Sequence, residues 1–90
     1  MAGKQKVFEE AMKKAANYAW DRQWEKAIAE YERALKEFPE DLTALSGLGL
    51  AHLESHHLEE ALKVYQKIGQ LMPDDPDALS HIAGIQEQLG

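Results

Sequence analysis

Apolar residues recur at intervals of three and four along most of this chain. Between Trp24 and Phe38, for example, Ala27, Ile28 and Tyr31 fall on one side of a helical projection. This spacing predicts amphipathic helices, each with one buried stripe, and no segment alternates polar and apolar residues as a strand would. The predicted helices cover residues 5–21, 24–38, 42–54, 58–72 and 76–89. The expected fold class is therefore all-α.

The ends of these helices are marked by residues with a known local effect. Pro39 and Pro73 stop the second and fourth helices, because proline lacks the amide and clashes with the preceding turn. Asp41 and Asp75 are each placed to cap the following helix and suit its dipole. Gly90 is a helix-stop residue.

The stretch from Trp24 to Asp41 is repeated thirty-four residues later, from Leu58 to Asp75. A fixed period of this kind indicates a repeat architecture. The positions shared by the two stretches are Ala27 and Ala61, Tyr31 and Tyr65, Pro39 and Pro73, and Asp41 and Asp75.

These residues resemble the tetratricopeptide repeat, whose pattern over thirty-four residues is W-x2-L-G-x2-Y…A-x3-F…P. The second unit carries that pattern as Leu45, Leu48, Gly49, His52, Ala61, Tyr65 and Pro73. Lys14 departs from the usual leucine, and His52 and Gln86 depart from the usual tyrosine. The resemblance implies one domain over residues 1–90, with repeats at 8–41 and 42–75 and a half repeat or capping helix at 76–90.

The resemblance also implies an α-solenoid of antiparallel helix pairs, with a groove lined by the first helix of each unit. By that likeness, the groove presents itself to a peptide or helix of a partner protein. The implied groove residues are Glu9, Met12, Ala16, Ala19 and Trp20, then Thr43, Ser46, Leu50, Leu53 and Glu54, and finally Asp77, Ser80, His81, Gly84 and Gln88.

This implied groove has an apolar centre and an acidic rim, which favours a partner with basic and apolar residues. An alternative is that Trp20 and Leu53 only tuck against the neighbouring repeat. Members of the family that clamp a carboxylate tail use lysine, asparagine and arginine in the groove. The matching positions here hold Met12, Ala16, Gly47, Asp77 and His81, so that subtype is not expected.

The fifth helix carries apolar residues on two stripes, although packing on the fourth helix needs only one. Polar ends are expected in repeat stacks. Either the sequence is a piece of a longer repeat protein, or another chain covers this surface. The second option gives an alternative function, a self-associating structural repeat fragment in which the C-terminal helix mediates homodimerisation. The residues predicted for that contact are Ala78, Ile82, Ile85 and Leu89.

Charge and composition narrow the classes of partner. The chain has a net charge of −6, so binding to nucleic acid or an anionic membrane is not expected. No apolar run approaches the roughly 18 residues of a membrane span. The absence of cysteine from the sequence fits a reducing compartment, and we expect a cytoplasmic location.

Candidate chemistry is sparse. His52 and His56 are four residues apart, a spacing that chelates metals on an unbroken helix. His56 and His57 fall in a predicted turn, however, so no metal site is expected. The sequence lacks the nucleophile-elbow, phosphate-loop, dinucleotide-binding and zinc-protease motifs. We therefore expect a non-enzymatic module that binds a protein or peptide and needs no cofactor.

Overall fold

The computed structural model describes residues 2–90, which form five α-helices and contain no strand. The prediction of an all-α fold is confirmed. The helices are α1 (Ala2–Trp20), α2 (Trp24–Glu37), α3 (Leu42–Glu54), α4 (Leu58–Leu71) and α5 (Pro76–Leu89).

The predicted helix ends agree with the observed ones to within one residue, except at the start of α1. That helix begins at Ala2 rather than Gln5. The added residues include good helix formers, and the Lys4 ammonium lies 5.8 Å from the centre of the Phe38 ring on α2. Phe38 also packs edge-to-face on Phe8, with ring centres 5.1 Å apart. These contacts join the first turns of α1 to the end of α2.

The capping aspartates act as the sequence predicts. Asp41 Oδ1 accepts a hydrogen bond from the Ala44 amide at 2.9 Å, at the start of α3. Asp75 Oδ1 accepts one from the Asp77 amide at 3.3 Å, at the start of α5. Each carboxylate satisfies an amide that would otherwise have no partner within the helix.

The turns within the two helix pairs share one backbone conformation. Arg22 has φ +58 and His56 has φ +62, and these residues stand thirty-four positions apart. After each of them, an amide bonds back to a carbonyl of the preceding helix: Gln23 to Tyr18 and His57 to His52, both at 2.8 Å. This is the Schellman ending, in which glycine is usual at the left-handed residue. Here Arg22 and His56 occupy that left-handed position instead of glycine.

Each helix packs on the next one along the chain, and α1 also approaches α3. One cluster of the core joins α1, α2 and α3, and a second joins α3, α4 and α5. Tyr31 lies in the first cluster beside Ala27, and Tyr65 lies in the second beside Ala61. The sequence repeat is therefore also a repeat of packing, as a stack of helix pairs requires.

Candidate functional site

The residues that the sequence predicts for a groove belong to α1, α3 and α5; we call the exposed sides of these three helices the inner face. Trp20 is 88% exposed and Leu50 is 47% exposed. The predicted residues that are exposed are Glu9, Ala16, Trp20, Thr43, Ser46, Leu50, Glu54 and Asp77, and those that are half-buried are Met12, Leu53 and His81. None of these predicted groove residues is fully buried, although Met12 and Leu53 pack against clusters of the core.

The exposure of Trp20 decides between the two interpretations of that residue. At 88% exposed it does not tuck against the neighbouring repeat. Leu53 differs, since it is half-buried and packs against the cluster around Tyr65. Trp20 is therefore a free apolar side chain on the inner face, whereas Leu53 is partly structural.

A pocket of about 360 Å³ opens on the inner face between α3 and α5. Four of the predicted residues line it: Ser46, Leu50, Asp77 and His81. Sequence reasoning missed the other lining residues as a binding surface, because Tyr65 and Ile68 fit the apolar stripe of α4. The remaining lining residues are Tyr65, Ile68, Asp75 and Ala78.

A pair of stacked rings lies in the wall of this pocket. The Tyr65 and His81 rings are nearly parallel, at 6°, with their centres 4.4 Å apart. His81 Nδ1 lies 2.8 Å from the Asp77 carbonyl oxygen. Because a carbonyl oxygen only accepts hydrogen bonds, Nδ1 carries the proton in this contact. The imidazole is thus held on two sides. Burial raises the pKa of the Tyr65 phenol above its ordinary value, so this ring is neutral at physiological pH.

The position that corresponds to His81 one repeat earlier carries no side chain. Gly47 stands thirty-four residues before His81, and the Tyr31 ring lies directly over it. A Cβ atom added at Gly47 would come within 2.5 Å of Tyr31 Cε1. Here α1 and α3 approach each other, whereas no Cα of α3 lies within 8 Å of a Cα of α5. At the junction of α1 and α3 the close approach of Tyr31 to Gly47 leaves no room for a side chain, whereas between α3 and α5 the same position holds the His81 imidazole.

The pocket has an acidic side. Asp75 and Asp77 line it at the start of α5, and neither α3 nor α5 contains a lysine or arginine. Within residues 2–90 the only ion pairs join Arg33 to Glu30 and His57 to Glu25, so neither pocket aspartate has a cationic partner. Apolar surface from Leu50 and Ile68 completes the wall.

The structure buries some of the residues predicted for self-association and leaves others at least partly exposed. Ala78 is 2% exposed and Ile85 is 1% exposed, because both face α4 and join its core cluster. They are not available to another chain, and that part of the prediction is wrong. Ile82 is half-buried and Leu89 is 44% exposed. The large apolar residue left most open on α5 is Leu79, at 55% exposed, on the other stripe.

The histidines lie apart from the inner-face pocket, near the turn between α3 and α4. His52 is buried, and its Nδ1 lies 3.3 Å from His57 Nδ1, while His57 Nε2 lies 3.5 Å from Glu25 Oε1. Burial first, and then the charge of His57, lower the pKa of His52 below its ordinary value. The neighbour of His52 is thus His57 rather than His56. The part of the chain described here contains no group of three side chains that could hold a metal ion.

No helix among residues 2–90 combines the length and apolar content needed to cross a bilayer. A tetratricopeptide repeat profile matches residues 21–90. The chain is similar to Superkiller complex protein 3 of mouse, with 32% identity over 93% of this chain, and to that of human, with 30% identity over 93%. It is also similar to Superkiller protein 3 of Schizosaccharomyces pombe, with 35% identity over 77%.

The matched segment is a small part of each relative. The chain covers 6% of the mouse and human proteins and 5% of the yeast protein. Tetratricopeptide repeats generally serve as protein–protein interaction modules, and the family match agrees with the helix pairs, the thirty-four-residue period and the repeated tyrosine packing. This chain belongs to the tetratricopeptide repeat family.

Proposed function

We propose that this chain is a non-enzymatic interaction module whose inner face binds a peptide or helix of a partner protein. The observation that carries the proposal is the pocket between α3 and α5, which Leu50 helps to line. Ligand sites are concave and lined mostly by apolar side chains, and tryptophan is among the residues enriched at binding hot spots. Trp20 adds a second exposed anchor on α1.

The domain organisation belongs to the same proposal. We take residues 1–90 as one domain, with repeats at 8–41 and 42–75 and a half repeat at 76–90. Binding in this mode needs no cofactor or metal, because it uses only complementary surfaces. The acidic pocket disfavours nucleic acid. A cytoplasmic location is part of the proposal, since the sequence holds no cysteine and fits a reducing compartment.

The names of the relatives agree with a role in assembly. The mouse and human proteins are, by name, parts of a complex. This chain matches only a small segment of each, so the particular partner does not carry over. What carries over is the expectation that the segment contacts another protein.

The test compares two leucines that are about equally exposed. Leu50 is 47% exposed on the inner face, and Leu79 is 55% exposed on α5 away from the pocket. Peptides selected from a displayed random library on the wild-type chain should bind Leu50→Ala more weakly and Leu79→Ala as well as wild type. Helical circular dichroism should be unchanged in both variants. Peptides that bind Leu50→Ala as well as wild type would refute the inner face as the binding surface.

A second candidate function is self-association through α5, and one observation favours it. Leu79 is 55% exposed, whereas Leu45, thirty-four residues earlier, is 3% exposed beneath α4. The stripe that a following helix covers in the second repeat is therefore open in the third. A second copy of the chain could cover it.

Sedimentation at rising protein concentration tests this candidate. The expected result is a dimer that Leu79→Glu and Leu89→Glu together convert to monomer with helicity intact. Ile85 is not a suitable position for this test, because it is buried against α4 and a glutamate there would disrupt the fold. A wild-type chain that stays monomeric at high micromolar concentration would remove the candidate.

A further inference from the structure

The residues that line the pocket between α3 and α5 have counterparts one repeat earlier, and the two sets differ in charge. Subtracting thirty-four from each lining position gives the counterpart residues. Asp75 corresponds to Asp41, but Asp77 corresponds to Thr43. The lining of the pocket therefore has one more carboxylate than the corresponding set of residues. The whole chain after Lys67 contains four acidic residues and no lysine or arginine.

The carboxylates outweigh the local helix dipole. The start of α5 contributes the equivalent of about half a positive charge, whereas Asp75 and Asp77 bring two negative charges to the same mouth. Asp75 Oδ1 is engaged as the helix cap, through the Asp77 amide at 3.3 Å. The carboxylate of Asp77 has no hydrogen-bond donor or cation among the residues described. The potential at the mouth is therefore negative, with one carboxylate uncommitted.

The rest of the pocket is suited to an aliphatic stem. Leu50, Ile68 and Ala78 supply apolar wall, and the stacked Tyr65 and His81 rings supply a flat surface. A volume of about 360 Å³ is near the lower end of the range for ligand sites, so it admits a side chain rather than a domain. Lysine and arginine combine an apolar stem with a cationic end. An acidic or purely apolar side chain would match only part of this lining.

We propose that the partner segment inserts a lysine or arginine side chain into this pocket, with its charged end at Asp77 and its stem against Leu50 and Ile68. This inference rests on the inner face being the binding surface, and it names the chemistry of the partner. The bound segment is a basic peptide with an apolar residue next to the inserted cation, which contacts the exposed part of Leu50. The pocket excludes acidic tails, because a carboxylate would meet two aspartates without a counter-charge.

The experiment uses peptides selected from a displayed random library on the full wild-type chain. Each of two variants removes one negative charge near the start of α5: Asp77→Asn changes a residue that lines the pocket, and Asp74→Asn changes a residue that does not. We expect lysine or arginine to be enriched at one peptide position. Binding of those peptides should weaken about twofold to fivefold in Asp77→Asn, as for an exposed ion pair, and should change little in Asp74→Asn. Replacing the enriched cation with norleucine should remove the difference between wild type and Asp77→Asn.

The outcomes separate the two proposals. Peptides that bind Leu50→Ala more weakly, yet show no enriched cation or respond equally to both aspartate variants, overturn the cation pocket and leave the inner face as the binding surface. Peptides that bind Leu50→Ala unchanged overturn both proposals. A library that yields no peptide bound to the wild-type chain also contradicts both.

Discussion

The contact between Tyr31 and Gly47 predicts that a methyl group added at Gly47 costs stability, whereas the same change at an open glycine gains it. In Gly47→Ala the new Cβ would lie 2.5 Å from Tyr31 Cε1 and 2.7 Å from its hydroxyl oxygen. The ring cannot withdraw freely, because Tyr31 is buried in a cluster with Ala15 and Ala27. Either the ring or the whole of α3 must move.

The magnitude follows from two opposing effects. Overpacking of a well-filled core costs about 1–3 kcal/mol. Replacing glycine by alanine inside a helix gains about 1 kcal/mol. The net result for Gly47→Ala is a loss of about 0–2 kcal/mol in the free energy of unfolding. Gly84→Ala is the matched control, because no atom lies within 4 Å of its added Cβ, and it should gain about 1 kcal/mol.

Urea denaturation followed by circular dichroism measures the difference between the two variants. We expect Gly84→Ala to be more stable than Gly47→Ala by about 1–3 kcal/mol, and to melt at least about 4 °C higher. In a Tyr31→Leu background the penalty at Gly47 should shrink, because the two residues are coupled. Equal stabilisation by both glycine replacements would refute the packing of Tyr31 on Gly47.

Three other predictions concern the turns, the core and pH. His56→Gly should raise the free energy of unfolding by about 1 kcal/mol, because glycine relieves the left-handed backbone at φ +62; a destabilised variant in urea titration would contradict this. Ile85→Ala should cost about 2–4 kcal/mol in the same assay, and Leu89→Ala less than about 1 kcal/mol, since only Ile85 is fully buried. A loss for Ile85→Ala as small as that for Leu89→Ala would contradict the burial of Ile85. The pKa of His52 is lower in the folded chain than in the unfolded one, so the unfolded histidine takes up a proton that the folded one resists. The free energy of unfolding of the wild type should therefore fall relative to that of His52→Tyr as the pH drops below 6.5, until the lowered folded-state pKa is reached. Urea titrations that give a pH-independent difference between the two proteins would exclude this linkage.

Most of the fold follows from local signals in the sequence. Pro39, Pro73 and the capping aspartates fix the helix ends, and the thirty-four-residue period fixes how the pairs repeat. Lys14 departs from the family pattern without harm to the core. It is exposed on α1, whereas Leu48, its counterpart in α3, is buried between repeats. A departure from pattern is tolerated where no neighbouring repeat covers the position.

The orientation of α5 was harder to predict from its own apolar residues. Two stripes of similar strength leave the rotation of a helix open, and only packing against α4 decides it. The repeat contained the missing signal. Ala78 and Ile85 correspond to Ala44 and Ala51, which are buried in α3. Comparison across the period therefore indicates burial at both positions.

The pocket could not be predicted from periodicity, because it depends on a contact between side chains of different helices. Tyr65 fits the core stripe of α4, and His81 fits the exposed side of α5. Their stacking, and the gap between α3 and α5, are tertiary features. Helical spacing places residues on faces, but it does not determine how far apart two helices stand.

The most direct test of the binding surface is a map of backbone amide shifts in the ¹⁵N-labelled chain as a selected peptide is added. We expect the largest shifts at Ser46, Leu50 and His81, which line the pocket on the inner face. Small shifts are expected along the sides of α2 and α4 that lie away from the pocket. If the largest shifts lay on α2, or at Leu79 and Leu89 on α5, the inner face would not be the binding surface.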